Sequence, residues 1–492
     1  MSLSSSQQLK KTAKHSAIYA IATILPRLTA LVMLPIYTRY LETQDYGAIE
    51  FLTMAIDLFS ILVGLQVSLA MFRYFVVSEN EMEKKQIVST TILMVLFAST
   101  IGALILYFFA APISITLLGT TDYVFEFELF AFTLITSTVY AVCRSYLRAL
   151  EMPWVFVAVS AGLLFLQVTF NVIFVVVYEM HVTGVVYAAL ISGISVTVPL
   201  TLFVFYKVGF NFSSSMARRL FKFVYPLLLA AFGGFYVTYA DKYFLRIFTS
   251  LSDVGLYALA GRVASVLLMV FEAFNMTWGV DRFQISKREN AREIFASTFR
   301  YLTLVLVIAA GGICVFSYDL FLIMTTEAYY PAASIVPIIV MMYYIKIYSM
   351  FFDFGIHYAE QTKYIAQASI VKSIVATILF LTVIPLYGAI GAALVLLFSH
   401  VIEMILIYRK STRLYDMGIK FNTVSVFIIP MSGFMLLAYI HLDNQWIGMA
   451  LHITFYWLIT LALYFLPIWS ENERQVFKNG VNLLFNKIKH SG

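Results

Sequence analysis

About fourteen apolar stretches, each roughly 20 residues or longer, fill nearly all of this 492-residue chain, and Lys and Arg crowd into every second gap between them. A bilayer core about 30 Å thick takes roughly 20 helical residues to cross. Hydrophobic residues make up 61% of the chain, charged residues 12%, and the mean hydropathy is +0.87. No soluble globule is built this way. The expected spans run over 16–38, 47–74, 87–109, 125–147, 154–177, 183–206, 221–247, 254–279, 299–318, 333–355, 364–385, 388–408, 422–441 and 445–468. The fold class read from them is an all-α integral membrane protein of about 14 transmembrane helices.

The charges orient the spans. Lys10, Lys11 and Lys14 precede the first, Lys84 and Lys85 follow the second, and Arg144 and Arg148 close the fourth. The same side collects Lys207, Arg218 and Arg219, then Arg282, Lys287 and Arg288, then Lys363, then Arg409, Lys410 and Arg413. The gaps near Asp122, Glu179, Glu327, Gly388 and Asp443 hold no Lys or Arg. Basic loops stay in the cytoplasm, so both termini are expected there. The net charge of +6 thus reports topology and attraction to anionic lipid, with no nucleic-acid partner implied. Lys10 to Lys14 followed by Ala20 and Ala22 imitate a signal peptide, but the apolar run continues to about Tyr37 and reads as an uncleaved helix. Cys143 and Cys314 offer neither a disulfide framework nor a metal site.

Two matches at nearly one offset point to a duplication. Asp45-Tyr46-Gly47 is echoed by Asp253-Val254-Gly255 about 208 residues on, and Gly184-Val185-Val186-Tyr187-Ala188-Ala189-Leu190 by Gly388-Ala389-Ile390-Gly391-Ala392-Ala393-Leu394 about 204 residues on. An even number of spans per unit gives parallel repeats, as in transporters related by an axis along the membrane normal. The expected organisation is a six-helix bundle over 1–215, a second over 216–418, two additional helices over 419–470, and an amphipathic cytoplasmic tail over 471–492. No hydrophilic connection exceeds about 20 residues, which excludes a folded catalytic domain outside the membrane. The chain is read as a non-enzyme that acts between its helices.

Charged side chains inside spans are expensive, about 2.5 to 3.5 kcal/mol each on insertion scales, and mark functional candidates. Arg27 follows Pro26 in the first span; Thr53, Asp57, Ser60, Gly64 and Ser68 form a polar stripe on the second. Arg262, Ser265, Glu272 and Asn275 align on the eighth, Lys346, Ser349, Asp353 and His357 on the tenth, and Lys372 lies in the eleventh. Arg27, Arg262, Lys346 and Lys372 are the candidate cargo-binding cations, since a unit charge pair at 4 Å is worth about 4 kcal/mol at an effective dielectric near 20. Asp57, Glu272 and Asp353 are candidate proton or sodium sites or partners of those cations. Arg39, Asp241 and Lys242, with Arg246 nearby, are candidate gate residues at the outer ends of spans one and seven. No metal-ligand spacing, nucleotide-binding loop or nucleophile with an attendant base occurs, and no cofactor is expected.

The run Leu34-Pro35-Ile36-Tyr37-Thr38-Arg39-Tyr40-Leu41, followed by Asp45-Tyr46-Gly47, resembles the start of bacterial polysaccharide-biosynthesis membrane proteins of the Wzx flippase type. Arg73-Tyr74-Phe75 and Asp241-Lys242-Tyr243 are similar to recurring positions of that family. Its superfamily also holds lipid II flippases and MATE exporters. The resemblance implies two six-helix bundles that open alternately to the two sides. It further implies outward movement of an undecaprenyl-diphosphate-linked oligosaccharide, O-antigen or a similar surface repeat unit, across a bacterial inner membrane. Arg27 and Arg262 are similar in placement to the cavity arginines such flippases imply. The implied partners are the lipid-linked sugar and membrane lipid, with the chain working as a monomer near polysaccharide-assembly proteins. Alternatives are a multidrug or small-solute antiporter on the same scaffold, and a membrane polymerase or ligase, against which the short, nearly uncharged outer loops count.

Overall fold

The computed structural model describes residues 32–63, 65–420, 426–440 and 445–465. Arg27, most of the first expected span and the tail over 471–492 lie outside the described residues. Every described segment of regular structure is helical. After α1 (Leu34–Tyr40) come α2 (Thr43–Val63), α3 (Leu65–Val77), α4 (Glu81–Phe108), α5 (Ala110–Leu118), α6 (Val124–Ala149), α7 (Pro153–Asn171) and α8 (His181–Val208). Then follow α9 (Ser214–Phe248), α10 (Leu251–Ala264), α11 (Val266–Ile285), α12 (Ala291–Val315), α13 (Ser317–Met324), α14 (Val336–Phe352), α15 (Phe354–Tyr358), α16 (Lys363–Leu414), α17 (Ile428–Leu437) and α18 (Gln445–Ala462).

Nine of the described helices, or helix pairs in line, are long and apolar enough to cross a bilayer, and a tenth is the bent pair Ser214–Leu228 and Ala231–Phe248, at 42°. Pro226, which lacks an N–H, precedes that bend. The 52-residue α16 holds two expected spans, because Gly388 breaks it with φ 53° and ψ −133°, three residues after Pro385. That left-handed φ is open to glycine and strained for other residues. Each described expected span thus has a helical counterpart, and the chain is a multi-pass membrane protein. Its surface fits that reading, with Phe97, Phe108, Phe165, Leu386 and Ile429 all at least 70% exposed.

The chain forms two compact units. Unit 1 comprises Met1–Arg262, Met324–Ala332 and Ala376–Val395; unit 2 comprises Val263–Ile323, Ala333–Val375 and Leu396–Gly492. The core of unit 1 is largely aliphatic, joining Ala70 and Met71 of α3, Ile87, Val88 and Val95 of α4, Val142 and Leu147 of α6, and Leu200 and Val204 of α8. Asn80 starts α4 by accepting from the Met82 and Glu83 amides at 2.9 and 3.4 Å. Unit 2 packs around rings. Trp278 stacks on Phe351 at 5.3 Å and meets Phe295 edge-on at 5.2 Å, and Phe299 touches both Tyr348 and Phe351. Tyr344 and Tyr348, whose hydroxyls bond each other, are completely buried in that core.

The first repeated motif has a structural meaning inside unit 1. Asp45 accepts from the Glu42 amide at 3.2 Å, and Asp253 accepts from the Ser250 amide at 3.1 Å, so each aspartate caps its helix start three residues before it. The two starts lie against each other. A Cβ on Gly47 would come within 2.2 Å of the Leu251 carbonyl oxygen, and one on Gly255 within 2.0 Å of the Thr43 carbonyl oxygen. Thr43 and Ser252 join by a 2.9 Å hydroxyl bond at the same crossing. Reciprocal contacts of this kind are the mark of a two-fold relation between α2 and α10. Tyr123, outside the spans, donates to Asp45 at 2.9 Å; burial, then the Asp45 charge, push its phenol pKa well above the ordinary value.

Candidate functional site

In unit 1 the embedded charges gather around Glu50. Tyr46, Glu50 and Asp57 share one face of α2, at spacings of four and seven residues. The stretch of α9 after its bend brings Tyr239, Asp241 and Lys242, and α10 brings Tyr257 and Arg262. Lys242 donates to one Glu50 oxygen, and Arg262 Nη2 lies 3.4 Å from the other. One carboxylate therefore holds two cations. The Arg262 guanidinium also sits 4.8 Å from the Tyr46 ring centre, and the Lys242 ammonium 4.9 Å from that of Tyr239. Tyr239 donates its hydroxyl to Asp57 at 2.5 Å, and Tyr257 donates to Asp241 at 2.8 Å. Asp241 Oδ1 is buried with no hydrogen-bond partner among the described residues.

Unit 2 holds a second constellation. Lys372 and Glu403, on the two sides of the Gly388 break, pair at 2.9 Å, and His400 Nδ1 lies 3.2 Å from the same Glu403 oxygen. The Lys346 ammonium of α14 lies 5.8 Å from the Tyr343 ring centre. A third group, Arg282 of α11 with Asp353, pairs at 2.8 Å, and His357 stands 3.5 Å from that aspartate. No cluster of three or more His, Cys, Asp or Glu able to hold a metal occurs among the described residues. Cys143 and Cys314 are free thiols, both buried.

The sequence candidates are therefore distributed between units. Arg262, Asp57, Asp241, Lys242 and Arg39 belong to unit 1, and Lys346, Lys372, Glu272 and Asp353 to unit 2. Arg262 lies in α10 and Glu272 in α11, helices that meet in line at Ser265 within the expected eighth span. Arg262 pairs with Glu50 and Lys372 with Glu403, carboxylates not singled out from the sequence. Arg39 is exposed, and Arg246 donates to the Leu118 carbonyl oxygen, closing the C-terminal end of α5. Lys242, read as a gate residue, is part of the Glu50 cluster.

Glu50, Glu403 and His400 were not among the candidates, yet a signal for them existed. Glu50 is seven residues before Asp57 on the same stripe, and Glu403 is a carboxylate within an expected span. Cations at this depth come with carboxylates because an uncompensated ion in an apolar surround is too costly. The Glu50 cluster, with two cations and the carboxylates of Glu50, Asp57 and Asp241, can exchange ligands without moving a naked charge.

A family described as "Polysaccharide biosynthesis protein" matches residues 12–278, more than half of the 492-residue chain. In sequence, a Haloferax volcanii protein named "Probable low-salt glycan biosynthesis flippase Agl15" is 23% identical over 279 residues, covering 54% of this chain and 58% of that protein. The chain spans about three fifths of the length of the curated relatives it matches. In fold, the lipid II flippase MurJ in an inward closed conformation superposes with a TM-score of 0.66 at 15% identity, covering 91% of this chain and 99% of that one. An inward-facing multidrug resistance MATE family transporter of the MOP superfamily gives a TM-score of 0.62 at 11% identity, covering 80% and 95%. With more than half its length matched to one family, on a fold common to a lipid II flippase and a MATE transporter, the chain belongs to the polysaccharide biosynthesis protein family of multi-pass membrane proteins.

Proposed function

We propose that this protein is a flippase that carries an undecaprenyl-diphosphate-linked oligosaccharide, such as an O-antigen repeat unit, from the cytoplasmic to the outer leaflet of a bacterial inner membrane. The observation that carries the reading is Glu50 shared by Lys242 and Arg262 on spans of a polysaccharide biosynthesis family member. Arg262 keeps 30% of its side chain exposed and its contact with Glu50 is long, at 3.4 Å. A guanidinium so placed suits a diphosphate, whose oxygens match its planar fork. The diphosphate replaces Glu50 on Arg262 while Lys242 retains the carboxylate, and the polyprenyl chain stays in the bilayer. Arg27 joins the same headgroup from the first span. Alternating access then exposes the sugar outside, with proton or sodium as the coupling ion and Asp57 or Asp241 as the carboxylate that takes it.

The experiment replaces Arg262 with Gln and follows surface polysaccharide together with the amount of folded protein in the membrane. Loss of at least about tenfold in export, with the protein still present, is expected from removal of one charge-assisted phosphate contact worth about 1.5 to 3 kcal/mol. Full export by this variant counts against the site. Mass spectrometry of lipid carried through purification of the unaltered protein tests the cargo, since an antiporter of small solutes retains no polyprenyl diphosphate sugar.

A further inference from the structure

Within unit 2, the stretches of α16 on either side of its break enclose an apolar groove of about 510 Å³, whose lining includes Tyr364, Ile370 and Val371 on one and Leu406 and Lys410 on the other. Ile370, Val371 and Leu406 are 58%, 40% and 37% exposed, so the groove opens to the surroundings rather than into the core. Tyr364 to Val371 is seven residues, about 10 Å at 1.5 Å per residue. That length takes a short segment of a lipid chain.

One end of the groove carries charge. The Lys410 ammonium lies 3.7 Å from the Tyr364 ring centre, and that of Lys363 lies 5.3 Å from the same centre. Neither lysine has a carboxylate partner among the described residues, in contrast to Lys84, Lys242 and Lys372, which all have one. Two ammonium groups on one ring repel each other, and an anion between them relieves both. This end also bears Arg409 and Arg413, and the charge asymmetry of the loops puts it at the cytoplasmic headgroup layer, where anionic lipids concentrate.

We propose that this groove binds one anionic phospholipid of the cytoplasmic leaflet, its phosphate on Lys410 and Lys363 and its acyl chain along Ile370, Val371 and Leu406. Hydrocarbon gains little by leaving other hydrocarbon, so selectivity rests on the headgroup. Each lysine contributes roughly fivefold preference for an anionic over a zwitterionic headgroup. This inference does not depend on what the protein transports.

The test reconstitutes the full chain into vesicles of phosphatidylethanolamine and phosphatidylglycerol at 3:1, extracts it in mild detergent, and counts retained lipids by native mass spectrometry. The unaltered protein and Lys85→Gln, which removes an exposed lysine of α4 in unit 1, should each keep one phosphatidylglycerol. The double variant Lys363→Gln/Lys410→Gln should lose the preference by about 25-fold. Leu406→Trp, which fills the groove and leaves the charges, should keep neither lipid. Retention in proportion to bulk composition, or unchanged phosphatidylglycerol in the double variant or in Leu406→Trp, overturns the proposal. So does preferential retention of a polyprenyl phosphate when it is added to the vesicles, because the occupant is then not a phospholipid.

Discussion

The Glu50 cluster of unit 1 and the Glu403 cluster of unit 2 use the same ingredients and differ in how closed they are. In the first, one carboxylate serves Lys242 and Arg262, and the two cationic side chains keep 17% and 30% of their area exposed. In the second, Lys372, Glu403 and His400 keep 8%, 10% and 6%. An open cluster whose guanidinium holds its carboxylate at 3.4 Å can trade partners with an incoming anion. A closed one at 2.9 Å fixes the stretches before and after the Gly388 break to each other. Embedded charge in a span therefore occurs in two settings, and exposure separates them better than residue type.

The largest effect that can break this comparison is in the closed cluster. Glu403→Gln leaves Lys372 buried without its counter-charge, and a loss of about 3 to 5 kcal/mol is expected, seen as a lowered unfolding midpoint in detergent. Glu50→Gln should lose less stability, because its partners reach a more polar surround, while abolishing export. Equal destabilisation by the two variants would remove the distinction. Next in size, replacing the pair together, Lys372→Met with Glu403→Leu, is expected to be neutral or to gain about 1 to 4 kcal/mol and to leave export intact. Lost export in a stable double variant would move the Glu403 cluster into the transport path. The smallest effect is at Asp241, whose Oδ1 is without a partner among the described residues. Asp241→Asn still accepts from Tyr257 and should change stability by less than about 1 kcal/mol, so any change in export reads its charge alone.

The membrane class was legible because span length and loop charge are local properties of a sequence. Spans two to twelve are matched by helices whose ends differ from expectation by about eight residues at most, from α2 at Thr43 to the end of α16 at Leu414. The resemblance carried by Leu34 to Leu41 and by Asp45-Tyr46-Gly47 is met by the family match over 12–278. The Asp45 and Asp253 motifs were visible as a repeat, but not their mutual contact through Gly47 and Gly255. That contact requires two helix starts to meet, and no spacing along the chain encodes it.

Candidate charges could be found one by one from their cost in a bilayer. Their partners could not. Arg262 finds Glu50, 212 residues away in the chain, and Lys372 finds Glu403 across the Gly388 break. The aromatic content, 16% of the chain, was equally silent about location, and Tyr344 and Tyr348 proved to be core. By itself the sequence determined that the chain crosses a membrane many times and with which costly groups inside, because hydrophobic length and charge act locally. Only the tertiary structure decided which charges neutralise each other and which stay partly exposed, because that depends on distances and exposure created by helix packing.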